Sequence, residues 1–222
     1  MGKTLELKAA DGHTLSAYRA EPAGKPKGAL IVVMEIFGVN SHIKKVADEY
    51  AADGYLAIAP AMFDRAQRGL DIGYTPPDIE IGRGIMQKMK FEDAMKDVAA
   101  ALENVSSAGK TGIVGYCWGG TAAFKAACDV PGLACAIAYY GGGIPGQISG
   151  QPKCPVMFHW GESDASIPLE KAREVAAAHK NQVHYFYPAG HGFNCDQRGS
   201  FHADSARLAR TRTLEFLAKH VG

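Results

Sequence analysis

The stretch TGIVGYCWGGTAAFKAAC, residues 111–128, decides how this chain is read. Residues 111–114 suit a strand and residues 121–128 a helix, and between them Gly115, Gly119 and Gly120 frame Cys117. A strand that turns directly into a helix strains the backbone at the central residue. Glycines on either side then let strand and helix approach, and the central side chain points outward. Cys117 is therefore expected at the carboxyl edge of a sheet and at a helix N-terminus, where unpaired amides and the helix dipole favour a thiolate. Burial as an inert core thiol, common for cysteine, suits Cys128, Cys135 and Cys154 better.

Outward from that turn, residues 29–34 form a continuous apolar run, as expected of a strand covered on both faces. Ile43, Val46, Ala47, Tyr50 and Ala51 then recur at helical spacing on one stripe, in a helix ending near Gly54. Strands are expected at 55–59, 111–114, 133–139, 155–159 and 183–187, with helices near 84–104, 118–128, 169–180 and 203–219. Such alternation requires crossovers and builds a mostly parallel sheet with helices on both faces, an α/β fold. Residues 4–8 and 14–19 flank Asp11-Gly12 and read as an antiparallel hairpin at the N-terminus. Residues 62–84, with four glycines and two prolines, lack periodicity and are expected to form a loop over the site.

The chain has 222 residues, which fits one domain over 1–222. Lys and Arg number 24 against 23 Asp and Glu, so the net charge of +1 offers no excess to attract nucleic acid or an anionic membrane. Five cysteines without a C-x-x-C pair argue against a disulfide framework or a zinc site, and for reduced thiols in a cytoplasm. No apolar signal segment opens the chain and no run reaches membrane-spanning length. Neither a phosphate-binding glycine loop nor a metal-ligand spacing is present, so no cofactor or metal is expected. The partner class that remains is a small molecule.

A free thiol is only a few per cent ionised at neutral pH, so Cys117 needs a base within hydrogen-bond reach. In folds built on this turn, the acid and the histidine follow on loops after successive strands. His191, in Ala189-Gly190-His191-Gly192-Phe193 after the strand at 183–187, fits. His159 and His179, inside a strand and on a helix, read as packing or surface residues. Asp164, after the strand at 155–159, can fix the tautomer of His191; Glu162 competes for that role, and Ser166 could cap the following helix instead of Asp164. Glu35, where the strand at 29–34 ends, shares the sheet edge with Cys117. It would disfavour the thiolate by like charge and could accept the thiol proton, unless it simply pairs a surface cation. The amides of Ile36 and Trp118 are placed to form an oxyanion hole.

These segments resemble the dienelactone hydrolase (carboxymethylenebutenolidase) family of α/β-hydrolases. The resemblance runs through Met34-Glu35-Ile36-Phe37-Gly38-Val39-Asn40, the Cys117 turn, Tyr139-Tyr140-Gly141, the Asp164 loop and Gly190-His191-Gly192-Phe193, and covers nearly the whole chain. It implies an α/β-hydrolase fold in which Cys117 attacks an ester or lactone carbonyl. His191 and Asp164 would run the proton transfers, Glu35 would guard the resting thiol, and water would release the acid from an acyl-enzyme. It also places Tyr139 and Phe193 among substrate-contacting positions. One position departs: the family's dienelactone-cleaving members carry an arginine four residues after the histidine, where this chain has Cys195. A thiol cannot pair a carboxylate, so recognition of an anionic lactone is expected to be weak unless Arg198 or Arg83 substitutes. A general carboxylesterase or thioesterase remains open. So does a non-catalytic thiol sensor in which Cys195 resolves oxidised Cys117.

Overall fold

The computed structural model describes residues 2–222. Strands β1 (Lys3–Lys8) and β2 (Thr14–Ala20) pair antiparallel, and β2 also runs antiparallel to β4 (Leu56–Pro60). The remaining strands, β3 (Ala29–Val33), β5 (Thr111–Tyr116), β6 (Leu133–Tyr139), β7 (Val156–Gly161) and β8 (Val183–Tyr187), continue a parallel array with β4. Eight strands thus lie in the order β1-β2-β4-β3-β5-β6-β7-β8. Every residue of β3, β4 and β5 is buried, which is why β3 and β4 are apolar throughout rather than alternating.

Six α-helices lie among the described residues: α1 (Ser41–Ala52), α2 (Pro76–Met86), α3 (Phe91–Val105), α4 (Trp118–Asp129), α5 (Leu169–Ala178) and α6 (Ala203–His220). Alternation along β5 separates them into two layers. Tyr116 meets Tyr50 of α1 and Gly112 faces Leu217 of α6, whereas Gly115 faces α4. Arg210 of α6 stacks over Tyr50, 3.7 Å from its ring centre, locking α1 and α6 on their shared face. Among the described residues no helix is long and apolar enough to cross a membrane.

The chain leaves β3 in one direction to β4 and returns on its other side as β5. Connections diverge between β3 and β5, and such a switch point opens a crevice at the carboxyl ends of the strands. Ile36 and Cys117 stand at its two lips.

Two expectations need correction. Residues 62–84 are not a structureless loop, because they contain a short 3₁₀ turn (Met62–Arg65) and most of α2. Thr75 and Asp78 form a capping box there, with proline at the first helical positions. Those start signals were present, but Gly82 and Gly84 diluted the helical pattern behind them. The helix expected over 84–104 is in turn two helices, α2 and α3, broken at 87–90.

Candidate active site

Cys117 sits between β5 and α4 with φ 56° and ψ −116°, a conformation costly for a residue with a side chain. The frame that holds it leaves no room for alternatives. A Cβ at Gly115 would lie 1.8 Å from the carbonyl oxygen of Gly119, and one at Gly119 would lie 2.4 Å from those of Val33 and Met34. The Cys117 amide donates to the carbonyl of Tyr139 at 3.0 Å, which fixes the turn against β6. Its side chain is partly exposed, as the outward-pointing turn requires.

His191, on the loop after β8, brings Nε2 to 3.1 Å from Cys117 Sγ. Its Nδ1 faces Asp164 Oδ2 at 2.8 Å, so that nitrogen carries the proton and leaves Nε2 to exchange one with sulfur. Asp164 is itself pinned, its Oδ1 accepting from the amides of Ser166 (2.7 Å) and Ile167 (3.1 Å). Glu162, the competing carboxylate, is exposed, and Ser166 caps nothing because α5 starts three residues later behind Pro168 without a side-chain cap. Burial works against a charge on His191. It is outweighed by the negative charge on Cys117 and the hydrogen bonds that the imidazole donates to Asp164 and Cys117, which hold it well above its usual range.

The amides of Ile36 and Trp118 donate to no protein group among the described residues. Trp118 is the first residue of α4, where the helix leaves its N–H free. Both residues line a cavity of about 520 Å³ that also contains Cys117 and His191. Its walls are mainly apolar, with Phe37, Ile79, Met86, Met89 and Phe91 contributing. Ile79 and Met86 come from α2, so the segment expected over the site does cover it, as a helix. Trp118 is held by stacking on Phe91 and by the edge of Phe63, with ring centres 5.4 and 4.9 Å away.

The substrate-contacting candidates divide. Arg83 and Arg198 both stand in the cavity wall; Tyr139, Phe193 and Cys195 do not. Tyr139 is fully buried and exchanges a 2.7 Å hydrogen bond with Thr213 of α6, because its position on β6 turns it into the opposite layer. Phe193 and Cys195 are buried beneath the His191 loop. Arg198 therefore supplies a guanidinium to the pocket that position 195 lacks. It lies over Phe37 and Tyr74 and donates from Nη1 to Glu35 Oε1 at 2.9 Å. Glu35 is thus paired with Arg198, and not with Cys117, whose sulfur faces His191.

Among the four other thiols, burial pushes Cys128, Cys154 and Cys195 up to about 11 and Cys135 up to about 12. A buried thiol so hard to ionise does not suit the resolving role considered for Cys195. The fold also assembles a group that no spacing in the sequence suggested: Glu35, His42 and Cys195, all buried, with donor atoms within 4.8 Å of one another. His42 carried no sequence signal beyond its place in the first turn of α1.

The sequence and the fold are similar to those of known proteins. The pattern of the dienelactone hydrolase family matches residues 15–221. A carboxymethylenebutenolidase of Pseudomonas putida is 32% identical, over 96% of this chain and 95% of its own. A protein of Synechocystis sp., provisionally assigned the same name, is 35% identical over 86% of each chain. A crystal structure from Klebsiella pneumoniae, provisionally assigned as a dienelactone hydrolase, superposes with a TM-score of 0.84 at 28% identity and 99% coverage of both chains. From fold, turn and sequence together, the chain belongs to the dienelactone hydrolase family.

Proposed function

We propose that this protein hydrolyses a small ester or lactone through an acyl-enzyme on Cys117, and that Arg198 orients substrates carrying a carboxylate. The observation that carries the reading is the continuous chain from Asp164 through His191 to Cys117, ending beside two free amides at the mouth of one apolar cavity. His191 Nε2 would hold the thiol proton while sulfur attacks the carbonyl carbon. The developing oxyanion would be received by the amides of Ile36 and Trp118, each such donor being worth about 3–4 kcal/mol in the transition state. His191 would return the proton to the departing alkoxide, then take one from the water that releases the acid. Arg198 offers several N–H donors, of which Glu35 uses one, so a carboxylate can still be bound by charge-assisted hydrogen bonds. Glu35 acts in this reading as the holder of Arg198. No cofactor is required by these steps. The five free cysteines support a reducing, cytoplasmic setting, and we read residues 1–222 as one α/β-hydrolase domain.

The test is intact-protein and peptide mass spectrometry after a slowly deacylating ester. The acyl group is expected on Cys117 alone, and an adduct on a serine or on Cys195 would remove the assignment.

A further inference from the structure

Glu35, His42 and Cys195 are 1%, 3% and 0% exposed, and none of them lines the candidate active-site cavity. Glu35 Oε2 and both ring nitrogens of His42 are buried without a hydrogen-bond partner. Asp196 stands near His42 Nδ1 without hydrogen-bond geometry. Buried polar atoms are nearly always satisfied, so Glu35 Oε2 and His42 Nε2 beside a buried thiol call for a missing partner. We propose that Glu35, His42 and Cys195 form a binding site for a thiophilic divalent cation, Zn²⁺ being the ion whose donor preferences they fit.

The donor set is one sulfur, one imidazole nitrogen and one carboxylate oxygen, a mixture that selects zinc over the oxygen-seeking Mg²⁺ and Ca²⁺. Zinc–ligand distances of about 2.0–2.3 Å place tetrahedral donors roughly 3.3–3.8 Å apart. Donor atoms that already lie within 4.8 Å of one another need only side-chain adjustment to close on an ion. Asp196 adds an outer partner, with Oδ1 3.3 Å from His42 Nδ1. A small ring rotation there completes the carboxylate–imidazole–metal arrangement that fixes the tautomer of ligating histidines and leaves Nε2 for the ion. Lys45 holds the other oxygen of Asp196.

The Glu35 carboxylate has an oxygen for each partner. Arg198 occupies Glu35 Oε1 and leaves Oε2 free, so the ion and the guanidinium share one carboxylate without competing for an oxygen. Binding forms a sulfur–metal bond and breaks the S–H bond, releasing one proton to solvent. The ligands come from the end of β3, the first turn of α1 and the loop after β8. Such an ion would tie three distant segments together and brace the carboxylate that holds Arg198.

The experiment uses chelator-treated full-length protein titrated with Co²⁺, an optical probe for zinc sites, and then with Zn²⁺. One equivalent of Co²⁺ is expected to give a near-ultraviolet thiolate charge-transfer band and visible tetrahedral bands, both displaced by Zn²⁺. These must survive in Cys117→Ala, which removes the thiol of the candidate triad, and vanish in Cys195→Ala. His42→Phe keeps every cysteine and should weaken binding by at least about tenfold. Zn²⁺ should raise Tm in the wild type and in Cys117→Ala but not in His42→Phe. Bands that disappear in Cys117→Ala, persist in Cys195→Ala, or are absent from the wild type would each overturn the site. Acylation of Cys117 is scored separately, so either proposal can fail alone.

Discussion

The group of Cys117, His191 and Asp164 and the group of Cys195, His42 and Glu35 are built from the same three kinds of side chain, yet they differ in every physical respect that governs reactivity. Cys117 is raised on a strained turn at the start of α4 and is partly exposed, with each of its neighbours paired: sulfur to Nε2, Nδ1 to carboxylate, carboxylate to two amides. Cys195 is completely buried in a loop, its thiol pushed up to about 11, beside an imidazole and a carboxylate oxygen that make no hydrogen bond. The lesson is that composition alone does not set the character of a thiol. Backbone frame, access and a completed hydrogen-bond chain separate the exposed, partnered thiol of Cys117 from the enclosed one of Cys195.

The most severe challenge to this contrast is deletion of each thiol in turn. Cys117→Ala should lower kcat/KM for an activated ester by about a thousandfold or more, whereas Cys195→Ala should keep hydrolysis within roughly tenfold of the wild type. Similar losses in both would erase the distinction. A smaller effect is expected at the residue linking the two groups. Arg198→Met should reduce the preference for a carboxylate-bearing enol lactone over its methyl ester by about ten- to a hundredfold. Because this also strands the Glu35 charge in the interior, the double variant with Glu35→Gln should recover folding without recovering the preference. A single variant that keeps its preference would shift the anion-binding role to Arg83. The gentlest test is spectroscopic. The His191 imidazole should titrate well above an ordinary histidine by NMR, and its midpoint should fall in Cys117→Ala, because the charge on sulfur is the largest influence raising it against burial. A midpoint unmoved by that substitution would mean that Asp164 alone holds the proton.

Much of this architecture is local, and local signals can be read along a chain. The glycine frame around Cys117 announces a strand-to-helix turn because no larger residue fits the 1.8 Å approach at Gly115. The unbroken apolar run of β3 announces a central strand because both of its faces are covered. The positions of His191 and Asp164 follow from the order of loops in a parallel sheet, and the structure brings both within hydrogen-bond distance of the chain they were expected to form. Helix α2 was legible in principle from Thr75, Pro76, Pro77 and Asp78, but its two glycines hid the periodicity that usually carries the assignment.

What only the tertiary structure decided is pairing between segments distant in sequence. Glu35 and Arg198 are 163 residues apart, and the turn after His191 sets a bend that no spacing rule reveals. That bend turns Cys195 inward and Arg198 toward the cavity, so a guanidinium reaches the cavity wall from position 198 while position 195 holds a buried thiol. The sequence by itself determined the fold class and the outward-facing thiol, because steric exclusion and apolar periodicity act over a few residues. Charge pairing and metal-donor proximity depend on distances through space, and those exist only once the loops after β3 and β8 have closed over one another.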